Sequence, residues 1–151
     1  MILDQKLNWS ANVEERIRKA TAAYFTFNAA VGKIWGLRPE LVLNLYTSVV
    51  RPVLSYGATI WGPPIVQKKQ HLRGLSRVQR LGCIAITGAL RSAPTAALEL
   101  MTGLMPIRQY IEKVSMATAT RMMSTGEWRP AWWVGHNTWL VKKLKEAGIV
   151  G

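Results

Sequence analysis

Residues 66–89 read VQKKQHLRGLSRVQRLGCIAITGA, and this stretch does most to define the fold of the 151-residue chain. Apolar or small residues recur in it every three or four positions, a spacing typical of the buried face of an amphipathic helix. These residues are Leu72, Leu75, Val78, Gly82 and Ala85. The spacing predicts a long helix from about Val66 to Ala89 that packs one face against a core.

The same predicted helix carries a second stripe, which is basic. Its members are Lys69, Arg73, Arg77 and Arg80, and Lys68, His71 and Arg91 lie close to them in the sequence. Like charges on adjacent turns repel by a few tenths of a kcal/mol per pair, a cost that a polyanion would remove. Two interpretations stay open, a solvated helix face that keeps the protein soluble and a phosphate-binding surface.

The charge of the whole chain is strongly positive and unevenly placed. The chain has 20 Lys and Arg against 8 Asp and Glu, a formal charge of +12. Residues 51–100 carry seven of the basic residues and one acid, Glu99. Neutralisation of phosphates by Lys and Arg is the main sequence-independent source of nucleic-acid affinity. From the charge alone, a polyanionic partner such as nucleic acid is the favoured interpretation, and a solvated surface that only keeps the protein soluble is the alternative.

Helical patterns also cover most of the remaining chain. Helices are predicted over about 13–32, after Pro94, from Pro106 to 126, and over 138–147. Another is predicted to begin at 39, to kink or end at Arg51-Pro52, and to continue to 61. Because no alternating strand pattern competes with them, we expect a mostly α fold, a bundle of about five or six helices with no substantial sheet.

Three local features of these helices are specific enough to check. Asn12 and Glu15 have the spacing of a capping box at the start of the first helix. The run Trp61-Gly62-Pro63-Pro64 predicts a break in the chain. In the second helix the residues expected to face the core are Leu41, Val42, Leu45, Val49 and Val50.

The residues needed for an active site are scarce. Asp4 is the single aspartate, and the seven glutamates are scattered. His71 and His136 lie far apart in the sequence, and neither has a second ligand at metal-binding spacing. Cys83 sits among apolar residues, so we predict a buried, unreactive thiol. We therefore predict no catalytic residue, no metal site and no cofactor in this chain.

The positions of six tryptophans predict their roles. Trp9, Trp35 and Trp61 lie at predicted helix edges, where closing a core is the favoured interpretation and base stacking the alternative. The segment 127–137, with Trp128, Trp132 and Trp133, is interpreted as a linker whose tryptophans dock on another surface.

The longest uncharged stretch, 52–67, is too short and too rich in proline to span a membrane. An intracellular protein without a membrane segment is expected.

Four segments, in order, carry a resemblance to a known family. They are LDQKLNWS at 3–10, LYxxVVRPVLxYGxxxW at 45–61, VQRL at 78–81 and ITGAxRSxPTxALE at 86–99. Together they resemble the reverse transcriptases of non-LTR (LINE-type) retrotransposons, in particular the jockey-like elements of insects. Gly135-His136 is similar to the segment that precedes a ribonuclease H domain in some such elements.

The resemblance implies a position within the parent enzyme, downstream of the palm. It implies that residues 1–9 end the palm and primer-grip segment, 10–92 form a thumb-like helical bundle, 93–126 a helical connection, and 127–151 a Trp-rich linker with a weak C-terminal helix. The aspartate pair that holds Mg²⁺ in the family belongs to the palm, so no activity is expected from this chain alone. Met1 stands where the family has strand sequence, which suggests a truncated or degenerate copy.

The function implied by the resemblance is to grip an RNA–DNA template–primer duplex through its phosphates. The residues expected to contact nucleic acid are Lys68, Lys69, Arg73, Arg77, Arg80, Arg91 and Arg51. For Arg51, beside Pro52, capping of helix carbonyls is an equal alternative.

The expected partners are RNA, RNA–DNA or DNA duplex and the palm of the parent polymerase. Self-association through an exposed apolar face is a further expectation. The resemblance places the protein in the nucleus and cytoplasm, within a retroelement ribonucleoprotein. The competing hypothesis is a degenerate relic, or a helical protein-interaction module with no nucleic-acid role.

Overall fold

A computed structural model describes residues 1–32, 37–129 and 138–149. All regular elements in these ranges are helical, which confirms the mostly α prediction. They are α1 (Ser10–Gly32), α2 (Pro39–Leu45), a π-helical turn (Tyr46–Val50), α3 (Arg51–Ser55), α4 (Ala58–Ile65), α5 (Lys69–Thr87), α6 (Thr95–Thr102), α7 (Ile107–Ser124) and α8 (Thr138–Glu146). Since α2, the π-helical turn and α3 follow one another without interruption, the described part contains seven separate helices.

Helix α1 begins earlier than predicted. The Trp9 carbonyl accepts the Val13 N–H at 2.9 Å, and Trp9 itself has a φ of 61° that turns the preceding chain away. Asn12 is therefore inside the helix, where its Oδ1 accepts the Ile2 N–H at 3.0 Å. The predicted capping box is wrong, because the chain before Asn12 already has helical hydrogen bonds and the side chain ties down the N-terminal segment instead.

The second helix passes over Pro52 by widening one turn. The Arg51 N–H bonds to the Tyr46 carbonyl, five residues back, as in a π-helix. Residues spaced four apart in an α-helix shift gradually around its axis, because one turn holds 3.6 residues. The extra residue in the π-helical turn reverses this shift. The residues buried along this stripe are Val42, Tyr46, Val50 and Leu54. The prediction that Leu41, Leu45 and Val49 face the core is wrong, since all three are exposed.

The helix is interrupted at Gly57, not at Gly62-Pro63-Pro64 as predicted. Gly57 has a φ of 70°, and α4 then runs through both prolines. Packing against α7 supports this irregular helix: a Cβ on Gly62 would lie 2.8 Å from Ile111 Cγ2, and Ser115 Oγ donates to the Ala58 carbonyl at 3.0 Å. The break predicted from the two prolines is wrong because this close contact holds the helix together.

One main core joins α1 to α7. It extends from Trp9 to Ile111 and includes Leu75, Val78 and Ile86 on the inner face of α5. It therefore has members on both sides of residue 92, where the sequence predicts the end of the bundle. The domain boundaries themselves stay predictions. Gly88, with a φ of 66°, ends α5 close to the predicted position.

A smaller cluster lies between α7 and α8. Trp128 is buried there with Ala119, Leu140 and Leu144. Trp9 and Trp61 are buried in the main core, which confirms the core interpretation for both. The predictions for Trp35, Trp132, Trp133, Gly135 and His136 lie outside the described residues. Among the helices described, none has the length and apolarity to cross a membrane.

Candidate nucleic-acid interface

The outer face of α5 presents a line of cations, the basic ridge, defined here as Lys69, Arg73 and Arg77. All three are exposed and are spaced by four residues along one helix. The opposite face of α5 is buried, with Leu75 and Val78 in the main core. Burial of that face fixes the rotation of the helix, so the ridge must point to solvent.

Helix α1 lies beside the ridge at short range. A Cβ on Gly74 would lie 2.7 Å from Ile17 Cδ1, so the glycine allows the two helices to approach closely. A groove of about 710 Å³ opens between them and is lined by Glu14, Ile17, Lys69, Gln70, His71, Arg73, Gly74 and Arg77. Glu14 is thus an acidic neighbour that the sequence did not reveal, because it comes from another helix.

Glu14 does not neutralise the ridge by direct pairing. The four ion pairs within 4.0 Å among the described residues are Arg18–Glu15, Lys19–Glu15, Arg108–Glu112 and Lys143–Glu146. None of them includes Lys69, Arg73 or Arg77. Within the part of the chain that the structure describes, the ridge therefore carries three cations without a contacting carboxylate.

Arg80 and Arg91 lie at the end of the ridge but are held differently. Arg80 is half-buried and donates to Thr95 Oγ1 at 2.8 Å and to the Arg91 carbonyl. It thereby ties α5 to the loop that leads into α6. Arg91 is exposed. Arg77, Arg80 and Arg91 line a second groove of about 630 Å³, together with Tyr24, Phe25, Asn28, Leu81, Ile84 and Ala85.

Lys68 and His71 point toward the N-terminal segment. Lys68 Nζ donates to the Asn8 carbonyl at 3.2 Å and remains exposed. His71 is buried, with Nε2 at 3.0 Å from Ser10 Oγ. Lys68 is close to the ridge and His71 lines the groove beside it, but the contacts of both fasten residues 8–10 to the start of α5.

Arg51 is separate from the ridge. Only 8% of its surface is exposed. One terminal nitrogen donates to Gln79 Oε1 and to the Met105 carbonyl, both at 2.9 Å, and the guanidinium lies 4.0 Å from the centre of the Tyr110 ring. Gln79 in turn donates to Glu99 Oε1 at 2.6 Å. Arg51 is therefore an internal residue that binds carbonyl and amide oxygens, and burial removes it from the set of phosphate-contacting candidates.

Sequence reasoning also missed the aromatic part of the second groove. Tyr24 belongs to the buried stripe of α1, whereas Phe25 is 57% exposed. The available signal was its position: Phe25 falls outside the stripe formed by Val13, Ala20, Tyr24 and Phe27. A single exposed apolar side chain is common on protein surfaces. What distinguishes Phe25 is its place in a groove with three arginines, which only the fold reveals.

The described residues contain a buried thiol and no clustered metal ligands. Cys83 is buried, burial raises the pKa of its thiol, and its sulfur lies 3.8 Å from Thr102 Oγ1. Across residues 1–32, 37–129 and 138–149, no three His, Cys, Asp or Glu side chains come together to hold a metal ion. Carboxylate ligands of the kind that hold Mg²⁺ in the resembled family are therefore not brought together among the described residues.

Comparison with known proteins gives one similarity and two negative results. No protein-family model matches the chain, and no solved structure matches it. The chain is 26% identical over 107 residues to the protein described as "Retrovirus-related Pol polyprotein from type-1 retrotransposable element R1 3" of Nasonia vitripennis. The match covers 66% of this chain and 27% of the length of that polyprotein. This similarity supports an origin in a non-LTR retrotransposon.

Proposed function

We propose that this chain is the thumb and connection part of a retroelement reverse transcriptase, and that the basic ridge holds a template–primer duplex by its phosphates. The observation that carries the proposal is the line formed by Lys69, Arg73 and Arg77, exposed on a helix whose other face is locked in the core. Because the similar protein is a retrotransposon Pol polyprotein, nucleic acid is the polyanion that we propose for the ridge.

The dimensions of the ridge suit a phosphate backbone. Four helical residues advance by about 6 Å, so Lys69 and Arg77 are separated by roughly 12 Å along the axis. Consecutive phosphates of one strand advance by about 3.4 Å along the axis of B-form DNA, so the ridge spans about three to four such steps. Three flexible cations at this spacing can therefore follow one strand without contacting bases. Duplexes of A-like form are held in this manner, through phosphates and 2′-hydroxyls.

Binding of a blunt RNA–DNA hybrid, measured by fluorescence anisotropy across a salt series, tests the proposal. We expect steep weakening between low and physiological salt and little dependence on base sequence. Replacement of Arg73 and Arg77 by Ala should reduce the slope of log affinity against log salt by about two. An absence of measurable duplex binding at low salt would contradict the proposed function.

The matched control removes the same charge from another helix. Lys113 and Arg121 lie exposed on α7. If the ridge binds phosphates, K113A/R121A should leave the salt slope close to that of the unmodified chain. Equal losses of slope in R73A/R77A and K113A/R121A would mean that net charge alone attracts the duplex, and would remove the ridge from the proposal.

A specific observation also favours a second candidate, an interaction module that associates through apolar surface. Leu90, Leu100 and Met101 are 79%, 85% and 71% exposed around α6. In the parent enzyme such residues would face the palm, and in the isolated chain they would promote self-association. Light scattering separates the candidates: a monodisperse chain with salt-sensitive binding favours the ridge, and a polydisperse oligomer without duplex binding favours the module.

A further inference from the structure

The second groove differs from the ridge because it combines cations with an exposed ring. It lies between α1 and the C-terminal half of α5, and Arg77 belongs to both surfaces. The described residues that line it include three arginines and no Asp or Glu. The groove is therefore continuous with the ridge, positively charged, and apolar on one wall.

The ring on that wall is positioned by its neighbour. The Phe25 and Tyr24 rings are 5.3 Å apart between centroids and inclined by 67°, an edge-to-face contact. Tyr24 is buried in the core and supplies a fixed support. Phe25 keeps more than half of its surface in solvent. An exposed ring that is held in place by a buried one is suited to stack on another flat group.

The arginines supply the other half of a binding site. The hydrogen bonds of Arg80 to Thr95 and to the Arg91 carbonyl hold that side chain and the loop in place. Arg77 and Arg91 are exposed, with no ion pair to a described carboxylate. Planar guanidinium groups bind phosphate oxygens in pairs and also stack on rings.

We propose that this groove binds an unpaired nucleotide of a single strand that leaves the duplex on the ridge. The base stacks on Phe25, and the adjoining phosphates contact Arg77 and Arg91. Stacking on an aromatic side chain tolerates any base, since every base has a flat face. The inference rests on the proposed function for the position of the strand, but the groove chemistry can be tested separately.

The test compares two hybrid duplexes at one salt concentration, one blunt and one with a single-stranded extension at one end. The unmodified chain should bind the extended duplex about tenfold more tightly. F25A should abolish this difference and leave the affinity for the blunt duplex unchanged. F25Y, which keeps a ring, should retain most of the gain. R73A should weaken the binding of both duplexes.

An extension that lacks bases, and a single strand alone, complete the design. If the abasic extension gives the same gain as the normal one, the groove binds phosphates only and the proposal is overturned. Equal affinity of the unmodified chain for blunt and extended duplexes also overturns it, while the proposed function stands. If blunt duplex does not bind but the single strand does, with a loss in F25A, the groove is supported and the proposed function fails.

Discussion

The two faces of α5 use polar residues in opposite ways. On the inner face, Gln79 is fully buried and its side-chain amide is hydrogen-bonded to Arg51, Glu99 and the Met105 carbonyl. On the outer face, Arg73 and the rest of the basic ridge have no contacting carboxylate among the described residues. The buried amide of the inner face is hydrogen-bonded within the fold, whereas the cations of the outer face can bind a partner.

The difference separates arginines that stabilise the fold from arginines that are candidates for binding. Arg51 donates to two oxygens and lies against the Tyr110 ring, and a buried cation without such partners would be costly. Arg73 bears the same charge but remains in water, where its contribution to folding is small. Burial and hydrogen-bond partners therefore tell a stabilising arginine from a binding candidate, which residue type alone cannot do.

The largest expected effect comes from the inner face, with R51A. The substitution removes the donor to Gln79 Oε1, one donor to the Met105 carbonyl, and the contact with the Tyr110 ring. We expect a loss of about 3 kcal/mol in the free energy of unfolding, measured by urea denaturation. R51K should recover only part of it, because an ammonium cannot reproduce the planar contacts.

R73A is the matched control for this prediction. It removes the same side chain from the outer face, so the free energy of unfolding should change by less than about 0.5 kcal/mol. Duplex affinity should show the reverse order: R73A should bind more weakly, whereas R51A molecules that remain folded should bind as tightly as the unmodified chain. If R51A and R73A were equally stable, the distinction between the two faces would fail.

A smaller loss is expected from G82A, which tests how tightly the inner face is packed. A Cβ at position 82 would overlap the ring of Tyr46, which is itself fully buried. Overpacking a core typically costs about 1–3 kcal/mol, offset by up to about 1 kcal/mol from the higher helix propensity of Ala. Because the overlap is with a fully buried ring, the cost should lie near the top of this range, and we expect a net loss of about 2 kcal/mol in thermal or urea unfolding.

G74A provides the comparison within the same helix. The atom that a new Cβ would meet there is Ile17 Cδ1, the end of a flexible and only partly buried side chain. Because that atom can move aside, the propensity gain should cancel most of the cost. A loss in G74A as large as that in G82A would show that the α1 contact is as rigid as the core.

The sequence predicts α5 well because both of its stripes are periodic. Leu75, Val78 and Gly82 are buried and the ridge is exposed, as the spacing indicates, whereas Arg80, the fourth member of the predicted basic stripe, is half-buried. The polar link between Arg51 and Gln79 could not be found in this manner, since 28 positions separate the two residues and only the fold brings them together. The prediction fails for Leu41 and Leu45 because the buried line of this helix runs through Val42, Tyr46 and Val50, and the apolar residues beside that line have helical spacing too.

The smallest expected effect concerns Arg18 and Lys19 of α1, which, unlike the cations of the ridge, already have a carboxylate. Glu15 accepts two hydrogen bonds from Arg18, both at 2.8 Å, and Lys19 lies 3.4 Å away. The hydrogen bonds from Arg18 hold the pKa of Glu15 at about 2, against an ordinary 4.5. Since the folded-state pKa is the lower one, the contribution to stability is complete above about pH 4.5 and is lost as the pH falls toward 2.

Carboxyl titration by NMR checks this value. In R18A the midpoint of Glu15 should rise toward the ordinary value, because the principal donor is gone. In R73A/R77A it should stay low, because the ridge cations do not contact Glu15. Addition of a hybrid duplex should also leave the midpoint unchanged if phosphates bind the ridge and not the paired cations of α1. A rise on duplex addition would mean that Arg18 leaves Glu15 for phosphate, and would extend the binding surface from α5 onto α1.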